Sequence, residues 1–142
     1  MSGNWRWRRN EKSDFLSGRL GLHSLFLIHS DNFLHQGGKI AAVLPAATFY
    51  TESGNLLKKF LANKYHIKYI ISSEVEATFS EQSAFKEILF IAEKIKDKPK
   101  KVDTLFVTLK LPLTLRNAKE LAQKIKKIKE DYEDGNIRIR KV

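Results

Sequence analysis

Trp5 and Trp7 alternate with Arg6, Arg8 and Arg9 near the amino terminus. At that spacing indole rings can stack on bases while guanidinium groups neutralise phosphates, so these five residues are candidate DNA contacts. A frayed terminal stretch would carry the same residues without a role. His23, His29 and His35 lie six apart, which turns them away from one another on a helix. They do not make the i, i+4 pair of a helical zinc site, and surface or capping roles suit them better. Glu74 and Glu76 alternate in a polar loop and lack a partner that would tune either acid. Lys119, Lys124, Lys126, Lys127 and Lys129 crowd one segment, but Glu120, Glu130 and Asp131 dilute them. A solvated helix face fits that pattern better than a phosphate-binding one.

The remaining chemistry is defined by absence. No glycine loop of the Gly-x-Gly-x-x-Gly or Walker type occurs, and no serine sits in a Gly-x-Ser-x-Gly elbow. Gly37-Gly38 precedes a strand, whereas a phosphate-binding loop follows its strand and opens a helix. With no cysteine there is no disulfide framework, thiolate metal site or sulfur nucleophile. The sequence therefore contains no self-contained catalytic, cofactor-binding or metal constellation.

Size and composition describe one globular unit: 142 residues, 42% hydrophobic and 11% aromatic. No apolar run approaches the roughly 20 residues of a membrane span, and no signal-peptide core is present. A cytoplasmic protein without membrane contact is expected. The net charge of +10 is the outlier and favours a polyanionic partner, DNA above all.

The elements that must position these residues follow from hydrophobic period. Asp14 can cap a helix to about Leu34, with Leu22, Leu25, Phe26 and Phe33 on one stripe, widened by Leu20, Leu27, Ile28 and Leu34. Ile40 to Leu44, between Gly37-Gly38 and Pro45, reads as a strand buried on both faces. Ser53 can cap a helix carrying Leu56, Leu57, Phe60 and Leu61. Ile67 to Ile71 is a second strand, completing a βαβ unit whose functional loops lie at the carboxyl ends of its strands. Ile88 to Ala92 is a third strand. Too little chain precedes it for a crossover helix, so it should run antiparallel. Past the charged connector 95–101 come a strand at Leu105 to Leu109 and a helix with a capping box at Asn117 and Glu120. That helix carries Leu121, Ala122, Ile125, Ile128 and Tyr132 on its apolar stripe. A turn at Asp134-Gly135-Asn136 then leads into a short final strand.

The order of these pieces resembles one family. The run LIHSDNFLHQGGKIAAVLPAATFYTESGNLLKKFLANKYHIKYIISS, then TFSEQSAFKEILFIAEK, is similar to the second half of an N6-adenine DNA methyltransferase. The modification subunits of type I restriction systems are the nearest flavour. The resemblance implies a partial Rossmann-like α/β methyltransferase fold: strands five to seven with flanking helices in residues 1–94. Residues 95–142 would then be a strand-helix-strand extension packed on it. It also implies S-adenosylmethionine as cofactor of the complete enzyme, and DNA and restriction-modification subunits as partners.

Two parts of the family pattern have no counterpart: the glycine-rich cofactor loop, and the Asn/Asp/Ser-Pro-Pro-Tyr/Phe tetrapeptide. Pro45, Pro99 and Pro112 are isolated from one another. The chain would start just past the tetrapeptide and, on this reading, is inactive and binds no cofactor alone. One role carries over: Phe79, in the loop before the seventh strand, matches the aromatic residue that stacks on an extruded adenine. A loop residue tucked under the sheet edge is the competing reading. Phe49 and Tyr50, after the fifth strand, are candidate walls of the same pocket. Two other functions stay open, a non-catalytic basic nucleic-acid-binding module and a structural partner subunit. The family strand order places the seventh strand antiparallel between five and six, and leaves the fifth without its fourth-strand neighbour. That edge should be covered by the same strand of a second copy, by Asn136–Lys141, or by a missing half.

Overall fold

The computed structural model describes residues 21–52, 54–75, 79–80, 86–97 and 102–142. Trp5, Arg6, Trp7, Arg8, Arg9, Asp14, Leu20, Ser53 and Glu76 lie outside the described residues. Helix α1 (Leu22–Ser30) passes through a 3-10 turn (Asp31–Phe33) into strand β1 (Lys39–Pro45). A second 3-10 turn (Ala46–Phe49) leads to α2 (Gly54–Lys64), β2 (Tyr65–Ser73) and β3 (Glu87–Lys94). Strand β4 (Leu105–Leu109), helix α3 (Ala118–Lys127) and the hairpin β5 (Tyr132–Glu133) and β6 (Ile137–Lys141) complete the order. All six strands form one sheet, β1-β3-β2-β4-β6-β5.

Strand β3 runs antiparallel to both β1 and β2, so β1 and β2 point the same way with β3 between them. This is the five-seven-six arrangement the family resemblance implies. Strand β4 continues the sheet parallel to β2, and β6 pairs antiparallel with β4.

Side chains of period two divide the core between the faces of the sheet. One cluster joins Leu27 and Ile28 of α1, Leu57, Phe60 and Leu61 of α2, and Leu44, Ile88, Phe90 and Ala92 of the strands. The other joins Leu121 and Ile125 of α3 to Ile71, Leu105, Val107, Leu109, Ile137 and Ile139. The second cluster thus covers the opposite face, towards the β4–β6 end.

Four expectations need correction. Strand β1 is not buried on both faces: only Leu44 is fully buried, and the strand lies at the edge, as the family strand order implied. An apolar run records what a strand can bury, not how many neighbours it has. Asn136–Lys141 does not cover that edge, because Ile137–Lys141 is spent on β4. The apolar stripe of α1 is turned outwards: Leu22, Phe26 and Phe33 are 70%, 63% and 79% exposed, while Ser24, Leu27 and Ile28 are buried.

Asp31 sets that rotation. Its carboxylate, 3% exposed, accepts a hydrogen bond from Tyr65 Oη at 2.7 Å and pairs with Lys94 at 3.0 Å and Lys64 at 3.6 Å. Lys94 Nζ also donates to the carbonyls of Asp31 and Leu34. Burial alone would raise the Asp31 pKa, but the hydrogen bonds and the two ammonium charges outweigh it and hold the carboxyl below its usual range. The same burial and the Asp31 charge push the Tyr65 phenol up.

The fourth correction concerns α3, which stops at Lys127, so that Tyr132 belongs to β5. Its start is not an Asn117–Glu120 box. Asn117 Oδ1 accepts from Thr114 N at 2.8 Å, and Thr114 Oγ1 accepts from Asn117 N at 3.2 Å. That reciprocal pair is fixed one turn earlier, where Pro112 leaves its carbonyl to Asn117 Nδ2.

Candidate functional site at the carboxyl edge of the sheet

Strands β1, β2 and β4 all point to one edge, so the segments after Pro45, Ser73 and Leu109 gather there. The start of β3 at Glu87 and the turn before β6 reach the same edge, since Glu87 pairs with Pro45 and Ile137 with Leu109. Loops at the carboxyl ends of parallel strands are where α/β sheets place ligand contacts.

The segment after β1 is held on both sides. Thr48 is buried and its hydroxyl lies 2.8 Å from His23 Nε2, tying the edge to the start of α1. Lys58 Nζ, on α2, donates to the Phe49 carbonyl at 3.0 Å. Helix α2 begins on Gly54 because a Cβ there would collide with the Thr48 carbonyl oxygen. Phe49 packs half-buried against the α1–α2 cluster, and Tyr50 is 86% exposed.

Phe79 lies half-buried against the α3 cluster, together with Leu111 and Leu113 from the segment after β4. Phe49 and Phe79 therefore pack into clusters on opposite faces of the sheet, with Tyr50 free of both. Three connections that sequence alone did not reveal brace this edge. Glu74 does have a partner, Arg138, at 3.1 Å. Glu133 gathers Lys110, Arg140 and Arg138, whose hydrogen bonds hold its carboxyl down at about 2. Asp134 accepts from the amides of Asn136 and Ile137, and pairs with Lys124 of α3. The hairpin is thereby locked to α3 and to the β2 and β4 loops.

Glu87 is the exception in an edge otherwise well paired. Its Oε2 is buried and has no hydrogen-bond partner. The alternation of the strand places it on the α3 side of the sheet, beside Pro45 and two residues before Leu89.

The other polar groups described at this edge are engaged within the chain. The Thr48 hydroxyl is engaged by His23, the Lys58 ammonium by Phe49, and Glu74 by Arg138. Among the described residues no three His, Asp or Glu side chains converge as metal ligands, and no helix is long and apolar enough to cross a membrane.

The N-6 DNA Methylase family model matches residues 5–137. No curated protein matches the chain. Among solved structures it superposes on the type IIG restriction endonuclease BpuSI with a TM-score of 0.64 and 18% identity, over 88% of this chain and 14% of that one. The methyltransferase subunit of a type I restriction-modification system from Streptococcus thermophilus gives a TM-score of 0.59 at 18% identity, over 82% and 25%. A Listeria monocytogenes protein assigned to the class I S-adenosylmethionine-dependent methyltransferases gives 0.56 at 22% identity, over 83% and 38%. At such identities the likeness is one of fold. The chain spans well under half the length of each of these structures.

Proposed function

Because this chain belongs to the N-6 DNA methylase family, we propose that it supplies the target-base half of an adenine-specific DNA methyltransferase of the restriction-modification type. The observation that carries this reading is the insertion of antiparallel β3 between β1 and β2, fed at the carboxyl edge by the loop that holds Phe79. In this assignment the cofactor-binding half lies outside residues 1–142. It brings the S-adenosylmethionine site and the Pro-Pro tetrapeptide, and it docks on the free side of β1. The chain is then inactive by itself, its partners are DNA and other restriction-modification subunits, and its compartment is the cytoplasm.

An enzyme that modifies adenine must take the base out of the stack at a cost of a few kcal/mol. An aromatic face returns roughly 1–3 kcal/mol per base. Phe79 sits where it could supply that face, and Tyr50, already exposed, is a second ring at the same edge. In the free chain the Phe79 ring packs against the α3 cluster, so stacking requires the loop to present a face it now packs. The basic surface, with Trp5, Arg6, Trp7, Arg8 and Arg9 as candidate contacts, would neutralise phosphates and make binding fall steeply with salt.

Calorimetric titration with S-adenosylmethionine, alongside fluorescence anisotropy on a labelled DNA duplex at several salt concentrations, tests the proposal. The expected result is no cofactor isotherm and salt-sensitive duplex binding. A micromolar cofactor isotherm with methyl transfer by the chain alone would refute the split-half reading. Loss of all duplex binding at low salt would refute the DNA-contacting role.

A further inference from the structure

We propose that the free chain closes its own open edge by pairing β1 with β1 of a second copy, antiparallel about a two-fold axis at Ala42. Backbone groups of a strand alternate between its two neighbours. Ala46 N donates to Lys86 O and Lys94 N to Gly38 O, so the even-numbered residues of β1 are bonded to β3. The N–H and C=O groups of Lys39, Ala41 and Val43, and the Pro45 carbonyl, therefore point out of the sheet. A row of this kind is a template for another strand. With the axis at Ala42, Ala41 faces Val43 of the partner and Lys39 faces Pro45. Every outward N–H then meets a carbonyl, and the Lys39 carbonyl, opposite Pro45, which has no N–H, is the one outward acceptor left to water.

Side-chain chemistry selects this register. On the α3 side of the sheet one copy presents Lys39, Ala41, Val43 and Pro45 on β1, backed by Glu93, Ile91, Leu89 and Glu87 on β3. The two-fold joins Ile91 and Ala41 of one copy to Val43 and Leu89 of the other, a continuous apolar band that covers Val43, now 40% exposed. At each end of the band Lys39 of one copy lies across Pro45 from Glu87 of the other. Their α-carbons are two strand spacings apart, about 10 Å, which an extended lysine and a glutamate span together. Lys39 is exposed, and within the chain its charge acts on Glu93 across the β1–β3 pair. Glu87 Oε2 is the buried acceptor that lacks a donor, and a buried carboxylate oxygen left unpaired is costly. A register centred at Ala41 satisfies the backbone equally but sets Lys39 opposite Val43, away from Glu87. The orphaned oxygen decides between the two.

A net charge of +10 on each copy opposes association at long range, so self-pairing should strengthen as salt screens that repulsion. The dimer stands on the geometry of the edge alone. One corollary rests on the proposed function: the dimer and the cofactor-binding half would compete for the same edge of β1.

Sedimentation equilibrium of the full chain at about 100 μM and about 0.15 M salt tests the pairing. Wild type should sediment at twice the chain mass. Lys39→Glu and Glu87→Lys should each weaken association at least tenfold. Mixing the two variants should restore it, since in the heterodimer one salt contact re-forms with its charges reversed and the other as in the wild type. Circular dichroism melts confirm that each variant is folded, and Glu87→Gln, which removes the charge with little change of shape, should also weaken the dimer. A folded wild-type monomer at that concentration, or a dimer indifferent to all these changes, overturns the proposal. Neither result touches the cofactor and DNA titrations on which the functional reading stands.

Discussion

Replacing Asp31 should be among the most damaging single changes available in the described chain, and its cost can be worked from the contacts. Removing one partner of a buried ion pair costs about 3–5 kcal/mol when the survivor is left uncompensated. Two features lower that figure here. Lys94 Nζ keeps the carbonyls of residue 31 and Leu34 as acceptors, and Lys64 is about one-third exposed with its ammonium 3.6 Å away. Tyr65 Oη, however, loses its acceptor inside the core. Asp31→Ala should therefore cost about 2–3 kcal/mol, and Tyr65→Phe about 1–2 kcal/mol as the loss of one hydrogen bond to a charged group. The same carboxylate contributes to acid sensitivity. Because its folded pKa lies below the ordinary value, its contribution is fully present above about pH 4 and is lost as pH falls through the folded pKa. Asp31→Asn should remove that part of the slope while keeping the Tyr65 contact. Urea denaturation of wild type and the three variants between about pH 3 and 7 is the assay. An Asp31→Ala cost below about 0.5 kcal/mol, or an acid slope unchanged in Asp31→Asn, would refute the claim that this carboxylate fixes the rotation of α1.

Phe79→Ala should cost about 1–2 kcal/mol in the same denaturation assay, roughly half of a fully buried phenylalanine, because the ring is half-buried on the α3 cluster; no change in midpoint would free the ring for a purely ligand-facing role. Gly54→Ala should destabilise by about 1–3 kcal/mol despite the better helix propensity of alanine, since the new methyl strikes the Thr48 carbonyl; a rise in melting temperature would contradict it. Glu133 should titrate near about 2 by carbonyl-carbon NMR, with Arg138→Ala and Lys110→Ala each moving it back up. Its depressed value means the hairpin brace is complete above the ordinary glutamate pKa and is lost as pH falls towards about 2.

The strands other than β5, their order along the chain and the antiparallel sense of β3 were legible because each follows from local facts: apolar period, turn residues, and a connection too short for a crossover helix. The Asp134-Gly135-Asn136 turn was legible for the same reason, since the Asp134 carboxylate bonds amides two and three residues on. Sequence alone also established what the chain lacks, a glycine loop and a Pro-Pro tetrapeptide, because absence needs no coordinates. Tertiary structure decided everything that depends on distant partners. Lys39 to Leu44 has the composition of a central strand, and composition does not count neighbours; the edge position that the sheet shows came only from the strand order of the family it resembles. Helix α1 has two apolar sides of similar strength. The choice between them was made by Tyr65 and Lys94, 34 and 63 residues from Asp31. Glu74 read as an isolated loop acid because its partner, Arg138, is 64 residues away. The vacancy at Glu87 was invisible for the same reason. A carboxylate is satisfied or orphaned by what folds against it, and that is settled only when the sheet closes around it.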